Sequence, residues 1–196
     1  FKGTPMATLE EVVHERYFFP SWKIDAETLA GLMNACGRSN NEGMGLAMAL
    51  GDREAMEGAR QLRKEYSAEV LAGLDKVVKN GVTRGENIQY FYNENLGLSG
   101  ILCGVTMQYF GDRDKPTITL ALSGNEVKVS SRGTFELLDQ GIDLAAALRD
   151  SASKVGGVGG GHKIASGATV PQGRDKEFLE LLDKMIGEQK AQKKAA

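Results

Sequence analysis

Histidine is nearly absent from this sequence of 196 residues, which contains only His14 and His162. The two lie far apart, and none of the patterns His-x-Asp, Asp-His-His or His-Glu-x-x-His occurs. A hydrolytic metal centre draws on several His, Asp and Glu side chains at short spacings. A Ser-His-Asp arrangement around His162 would lack a nucleophile elbow. We therefore expect no metal site and no catalytic residue in this chain, and no hydrolysis by the chain on its own.

Cysteine and long apolar runs are also scarce. Cys36 and Cys103 lack metal-ligand spacing and are predicted to be reduced, buried thiols of a cytoplasmic protein, with one structural disulfide as the open alternative. No apolar run approaches the roughly 18 residues of a membrane span, and no secretory signal occurs. We expect no membrane contact. The first residue is Phe1 rather than methionine, which indicates either a fragment or the removal of a leader.

The chain has no excess of charge of either sign. Hydrophobic residues make up 41% and charged residues 26%, and the formal net charge is -2. These values are typical of a globular protein with a buried core. They argue against a protein that coats nucleic acid by bulk electrostatics, so any contact with a polyanion must come from a local basic patch.

Glycine, in contrast, is abundant, with 25 residues against a background of roughly 7%. Five of the six positions 156–161 are glycine, and His162 and Lys163 follow. Glycine puts no Cβ in the way and tolerates positive φ, so successive N–H groups of such a loop can turn toward one anion. A flexible linker is the alternative, but the strand-like segment 164–170 follows at once. The segment is not a Walker loop, because no Gly-Lys-Ser/Thr ending follows four spacer residues.

A second group of polar residues lies in the strand-like segment 127–132. Side chains alternate along a strand, so Lys128, Ser130 and Arg132 are predicted to share the face opposite the core. There the Arg132 guanidinium can donate two hydrogen bonds to a phosphate or a carboxylate; an ordinary solvated strand face is the alternative. Arg38 is predicted to lie in a turn of small residues between two helices.

The pattern of apolar residues predicts an α/β fold. A helical N-terminal region and a long connecting helix, residues 1–83, are followed by a compact α/β domain with a mixed sheet, residues 84–196. Predicted helices cover residues 26–35, 44–50, 52–79, 99–110, 143–149 and 176–189, with a frayed tail after them. Predicted strands cover residues 88–92, 117–122, 126–132 and 164–170.

Three motifs resemble one known family. Residues 156–168 read Gly-Gly-x-Gly-Gly-Gly-His-x-x-Ala-x-Gly-Ala and resemble the signature of the DHH-associated domain, the C-terminal substrate-binding domain of the DHH phosphoesterase superfamily. Residues 127–132 look like the Lys-x-Ser-x-Arg element of that domain. Residues 33–38 look like the Asn-Ala-x-Gly-Arg element of RecJ-type nucleases, before the helix that joins their two domains. The resemblance covers nearly the whole chain after residue 25, and is greatest to archaeal members.

The resemblance implies the C-terminal part of a single-strand-specific exonuclease of DNA repair. Two manganese or magnesium ions would be held by an N-terminal DHH domain whose motifs this sequence lacks, so no cofactor is expected here. Expected partners are single-stranded DNA or RNA, the DHH domain and replisome proteins. The implied substrate-binding residues are Asn34, Arg38, Ser130, Arg132, Gly157, Gly159, Gly160, Gly161, His162 and Lys163. Ser166 departs from the family pattern, where many relatives have alanine.

Two alternatives stay open. The first keeps the superfamily but changes the substrate to very short oligoribonucleotides or a small nucleotide phosphodiester. The second is a non-catalytic interaction module of a replication or repair assembly, which predicts an exposed apolar patch around Phe18, Phe19 and Trp22.

Overall fold

The computed structural model describes the backbone of residues 15–195 and the side chains of residues 15–193. The contacts divide the chain into two compact units, one up to Ala68 and one from Glu69. This division falls inside a long helix. The predicted boundary between residues 83 and 84 follows the end of that helix and stays a prediction.

The first unit is mainly helical, as the sequence predicts. Its elements are β1 (Phe18–Phe19), β2 (Ile24–Asp25), α1 (Ala26–Arg38), α2 (Glu42–Ala49) and the beginning of α3 (Arg53–Asn80). Helix α1 begins where the Asp25 carboxylate accepts a hydrogen bond from the Thr28 N–H at 2.8 Å, which satisfies a free donor of the first turn. Asp52 caps α3 in the same way. The apolar core of this unit contains Ile24, Leu32, Cys36, Met48 and Ala59.

The second unit is built around a six-stranded sheet. After the rest of α3 it contains β3 (Thr83–Arg84), β4 (Gln89–Tyr92), α4 (Ser99–Val105), β5 (Thr117–Ser123), β6 (Glu126–Arg132), α5 (Phe135–Asp139), α6 (Leu144–Lys154), β7 (Val158–His162), β8 (Ala165–Pro171) and α7 (Asp175–Ala195). The strand order is β3-β4-β5-β6-β8-β7. Strands β4 and β5 are parallel and the other neighbours are antiparallel. The predicted α/β fold with a mixed sheet is therefore confirmed.

The two faces of this sheet differ. One face of the sheet packs on helices α5, α6 and α7. We call it the covered face, and it contributes to the main apolar core. That core includes Ile118, Leu120, Val127, Val129, Leu137, Leu144, Leu148, Val170, Phe178, Leu182 and Ile186. On the opposite face, α4 packs over β5 and β6. Its Cys103 thiol donates to the Thr117 carbonyl at 3.0 Å. A π-helical turn, Thr106–Phe110, follows α4, and its last hydrogen bond runs from the Gly111 N–H to the Thr106 carbonyl.

Several predicted boundaries are corrected. Helix α1 continues through Arg38, so Arg38 lies in the last turn of a helix and not in a loop. The C-terminal helix extends to Ala195, through the segment that was expected to fray. The sequence patterns also missed α5, a short helix that Thr134 caps by accepting from the Leu137 N–H.

Both cysteines are free and buried, in agreement with the prediction. In the part of the chain that the structure describes, no helix is long and apolar enough to cross a membrane.

Candidate ligand-binding face

The glycine-rich segment is a strand and not the predicted loop. Residues 158–162 form β7, the edge strand of the sheet, which pairs antiparallel with β8 from Val158↔Thr169 to His162↔Ala165. Only Lys163 and Ile164 lie between the paired residues, so β7 and β8 form a tight hairpin. The expectation of a loop was wrong because glycine weakens a strand in isolation, whereas here β8 provides the partner.

Close packing requires one of these glycines on the covered face. A Cβ on Gly159 would lie 2.7 Å from the backbone oxygen of Leu148 in α6. Glycine therefore lets the backbone of α6 approach β7 directly, which is a structural role; the role of Gly159 in binding stays a prediction.

Backbone conformation requires the next two. Gly160 has a φ of +152° and Gly161 a φ of +141°, values that residues with a side chain rarely adopt. Nothing lies within 4 Å of the position that a Cβ on Gly160 would take, so this residue leaves open space beside the strand.

The pairing register places side chains in rows across β6, β8 and β7, on the face opposite the main core. We call this the open face, and its three rows are Arg132–Ala165–His162, Ser130–Gly167–Gly160 and Lys128–Thr169–Val158. Adjacent strands lie about 4.8 Å apart, so the backbones at the two ends of a row are separated by about 10 Å. Val158 is 71% exposed and His162 is exposed, whereas Val127 and Val129, which alternate with the β6 members of the rows, are buried. The predicted shared face of Lys128, Ser130 and Arg132 is thus observed.

Arg132 is held in place without a carboxylate. One Nη donates to the Ser131 carbonyl at 2.8 Å, and the other lies 3.0 Å from the position that a Cβ on Gly100 would take. Within the described residues, Arg132 has no ion-pair partner. A half-buried guanidinium that keeps unused N–H groups on the open face is suited to a phosphate.

His162 ends the same row as Arg132. Its backbone oxygen accepts a hydrogen bond from the Ser166 hydroxyl at 2.7 Å, and its side chain is exposed. The Ser166 carbonyl in turn accepts from the buried Ser131 hydroxyl at 3.0 Å. The Ser166 hydroxyl thus ties the hairpin to itself, and the Ser166 backbone carbonyl ties the hairpin to β6.

Lys163 lies outside the three rows. Its Nζ is 4.0 Å from the Asp143 carboxylate, and its carbonyl accepts from the Leu144 N–H in the first turn of α6. Asp143 also caps α6 by accepting from the Ala146 N–H at 3.0 Å. Lys163 is therefore already engaged at the beginning of α6. Its role in binding stays a prediction.

Asn34 and Arg38 belong to the first unit. They lie one turn apart on α1, and both are exposed. Residues at i and i+4 are neighbours on a helix surface, so both side chains can contact one ligand.

Thr169 and Val158 lie in the third row of the open face and were not among the residues that the sequence analysis predicted for the site. Thr169 pairs with both Lys128 and Val158 across the sheet, and its hydroxyl accepts a hydrogen bond from the Lys128 Nζ at 3.0 Å. Once β7 is known to be a strand, the two-residue turn determines which residues of β7 and β8 pair. Because the glycine run was interpreted as a loop, the sequence analysis could not derive this register.

A separate cleft of about 720 Å³ lies between the second half of α3 and the connection from β4 to α4. Its cation, Lys76, contacts the Glu94 carboxylate at 2.5 Å, and Glu69 adds another negative charge to the lining. The cleft is therefore poorly suited to an anion, and the open face remains the better candidate for a phosphate.

Metal and nucleophile chemistry find little support in the described residues. No group of three or more His, Cys, Asp and Glu side chains lies close enough there to hold a metal ion, so the ions that the family resemblance implies have no fitting ligand set in this part of the chain. Burial raises the pKa of the Cys103 thiol to about 12, which keeps it protonated and unreactive. His14 lies outside the described residues.

The comparisons with known proteins agree with this architecture. Residues 87–188 match the DHHA1 domain family. An uncharacterized protein of Methanocaldococcus jannaschii is 34% identical over 181 residues, which are 92% of this chain and 40% of that protein. The chain thus spans less than half the length of this relative.

Two solved structures show a similar fold. RecJ of Thermus thermophilus, solved in complex with Mn²⁺, has a TM-score of 0.65 at 19% identity over 82% of this chain and 24% of that one. CDC45 of Entamoeba histolytica has a TM-score of 0.62 at 9% identity over 84% of this chain and 38% of that one. At these identities the likeness concerns the fold alone. The family match covers more than half of the chain and includes β4 to β8, so the chain belongs to the DHHA1 domain family.

Proposed function

We propose that this chain is the substrate-binding part of a RecJ-like, metal-dependent phosphodiesterase that acts on single-stranded nucleic acid. The observation that carries the proposal is the open face, where Arg132 and His162 end one row and no carboxylate pairs with Arg132 within the described residues. Membership of the DHHA1 domain family and the fold shared with RecJ support the same assignment. Hydrolysis is assigned to a separate DHH domain, which would hold two manganese or magnesium ions.

The chemistry of the open face suits a polyanion of limited length. A chain with a net charge of -2 cannot attract nucleic acid by its overall field, but a few focused contacts to phosphates are enough for a short single strand. The Arg132 guanidinium can donate two hydrogen bonds to one phosphate, and the His162 ring can donate a hydrogen bond or stack on a base. Ser130 adds a hydroxyl in the adjacent, middle row.

The direct test is the affinity for a labelled, 5′-phosphorylated single-stranded oligonucleotide at low and moderate salt. Replacing Arg132 and His162 together by alanine is expected to weaken binding at least tenfold, since hydrogen bonds to charged groups contribute about 1.5–3 kcal/mol each. The binding constant of the wild type should fall as salt increases. Arg149→Ala is the matched control, because Arg149 is an exposed arginine of α6 that pairs with Asp150. A loss below twofold for the double variant would reject the assigned site.

A second candidate function, a docking module for a replication or repair assembly, has one observation in its favour. Phe18 is 59% exposed and Phe19 is 37% exposed, and the ring of Phe19 lies 5.5 Å from that of Trp22. Phe18 and Phe19 thus supply exposed apolar surface for the docking hypothesis, whereas Trp22 is half-buried and packs against the core of the first unit. Failure to bind any oligonucleotide at either salt, together with loss of partner binding on Phe18→Ser, would favour docking over nucleic-acid binding.

A further inference from the structure

Resting on the proposed function, we propose that the open face holds three consecutive phosphates of a single strand, one for each row, and that Lys128 and Thr169 bind the third. The phosphates would lie beside α4, over β8 and β7, and would run from the row of Arg132 toward the end of β6 at Glu126. No fourth phosphate would be bound, because the face ends there on an acidic side chain. The open face would then measure the length of a bound strand at three nucleotides.

The spacing of the rows carries the first step. Members of successive rows are two residues apart on β6, which corresponds to about 7 Å along the strand. The phosphates of an extended single strand repeat at a similar distance. The row of Arg132 and the row of Lys128 are therefore about 13 Å apart, two phosphate steps, with the row of Ser130 between them.

The composition of the rows carries the second step. The middle row has no charge and two glycines, and a Cβ on Gly160 would meet nothing within 4 Å, so a backbone can pass close to the sheet there. The outer rows each contain a cation, Arg132 or Lys128. Val158, which is 71% exposed, lies beside Thr169 at the far end of the third row and gives a sugar or base an apolar contact.

The present contacts of Lys128 carry the third step. Its Nζ donates to the Thr169 hydroxyl at 3.0 Å and to the Glu126 carboxylate at 2.9 Å, and 38% of its side chain is exposed. The ammonium group thus points toward Thr169, within its own row. It is also restrained by the Glu126 carboxylate, which a phosphate can replace. Glu126 pairs with Pro171 in the next row, where its charge would repel a fourth phosphate.

The test is a length series of 5′-phosphorylated oligonucleotides with one to five nucleotides, titrated into the full chain at several salt concentrations. Affinity is expected to rise up to the trinucleotide and to stay constant for longer ligands. Lys128→Met should weaken trinucleotide binding about tenfold and change mononucleotide binding less than twofold. It should also reduce the salt dependence of trinucleotide binding by about 0.7 in the logarithmic slope, the value of one lost phosphate contact on a single strand.

Two further variants sharpen the result. Glu126→Gln removes the competing carboxylate and is expected to strengthen trinucleotide binding about threefold, as for an exposed ion pair, without an effect on the mononucleotide. Lys176→Met, at an exposed lysine in the first turn of α7, is the matched control and should change neither ligand.

The outcomes separate the two proposals. Equal effects of Lys128→Met on mononucleotide and trinucleotide, or an affinity that keeps rising through five nucleotides, would overturn the three-row arrangement. In that case mononucleotide binding that depends on Arg132 would still uphold the proposed function. Absence of binding to every ligand in the series would overturn both.

Discussion

The two faces of the strands β6, β8 and β7 are formed by alternate residues of the same segments, yet one face packs in the core and the other is the proposed binding surface. On the covered face, Val127 and Val129 are buried in the main core, and Gly159 lets α6 approach the sheet. On the open face, Arg132 and His162 keep polar groups available and Gly160 leaves space. In this glycine-rich strand, Gly159 thus allows close packing, and the neighbouring Gly160 belongs to the proposed binding surface.

This comparison teaches that a glycine run does not have a single explanation. A phosphate-binding loop would use its glycines for one purpose, to bring N–H groups to an anion. In β7 the requirement changes from residue to residue, because successive positions of a strand point to opposite faces. Substitutions should therefore affect either stability or binding, according to the face that they alter.

The largest expected effect comes from a substitution in the main core, which the covered face helps to form. Leu148→Ala removes a fully buried side chain of the main core and should lower the free energy of unfolding by about 2–5 kcal/mol. Urea denaturation followed by circular dichroism measures this loss. Leu122→Ala, at a leucine of β5 that is 58% exposed, is the matched control and should cost less than about 0.5 kcal/mol. Equal losses would contradict the assignment of Leu148 to the buried core.

The second largest expected effect concerns Cys103 of α4, the helix that packs on β5 and β6 on the same side of the sheet as the open face. Burial raises the pKa of Cys103 from an ordinary 9.0 to about 12, so the thiol ionises in the unfolded chain at a lower pH than in the native protein. The unfolded state then binds fewer protons, and the stability of the wild type falls as the pH rises above 9. Relative to Cys103→Ala, the wild type should lose about 1.4 kcal/mol between pH 8 and pH 10. Denaturation curves of both proteins at several pH values test this, and a constant difference would show that water reaches the thiol.

The smallest expected effect sharpens the description of the open face. A Cβ on Gly100 would lie 3.0 Å from an Nη of Arg132, so Gly100→Ala should displace the guanidinium and weaken oligonucleotide binding about threefold, a fraction of a hydrogen bond to a charged group. Gly104→Ala, in the same helix and with nothing within 4 Å of the new Cβ, is the control and should leave affinity unchanged. If Gly100→Ala also leaves it unchanged while Arg132→Ala does not, the position of Arg132 does not depend on α4.

Much of the fold followed from local patterns. Strand β6 was predicted correctly because its apolar and polar residues alternate. Helix α3 was predicted over residues 52–79 from its apolar periodicity, and the observed helix, Arg53–Asn80, begins directly after Asp52. The mixed sheet was also predicted. The role of the ten candidate residues in binding stays a prediction.

The errors had identifiable physical causes. Strand β7 was mistaken for a loop because glycine has a low strand propensity, and only pairing with β8 stabilises that conformation. The segment with Cys36 and Gly37 was expected to be a turn, but Cys36 is fully buried in the core of its unit, and that packing extends α1 to Arg38.

The sequence by itself determined the alternation of β6, the caps of α1 and α3 at Asp25 and Asp52, and the glycine-histidine signature of the family, because each depends on residues close together in the chain. Only the tertiary structure decided that Arg132 and His162 end one row and that Lys128 faces Thr169 and Val158. These neighbours depend on the register between strands, and a shift of one residue would turn every side chain to the other face. The tight turn at Lys163 and Ile164 and the packing of α6 on Gly159 determine that register.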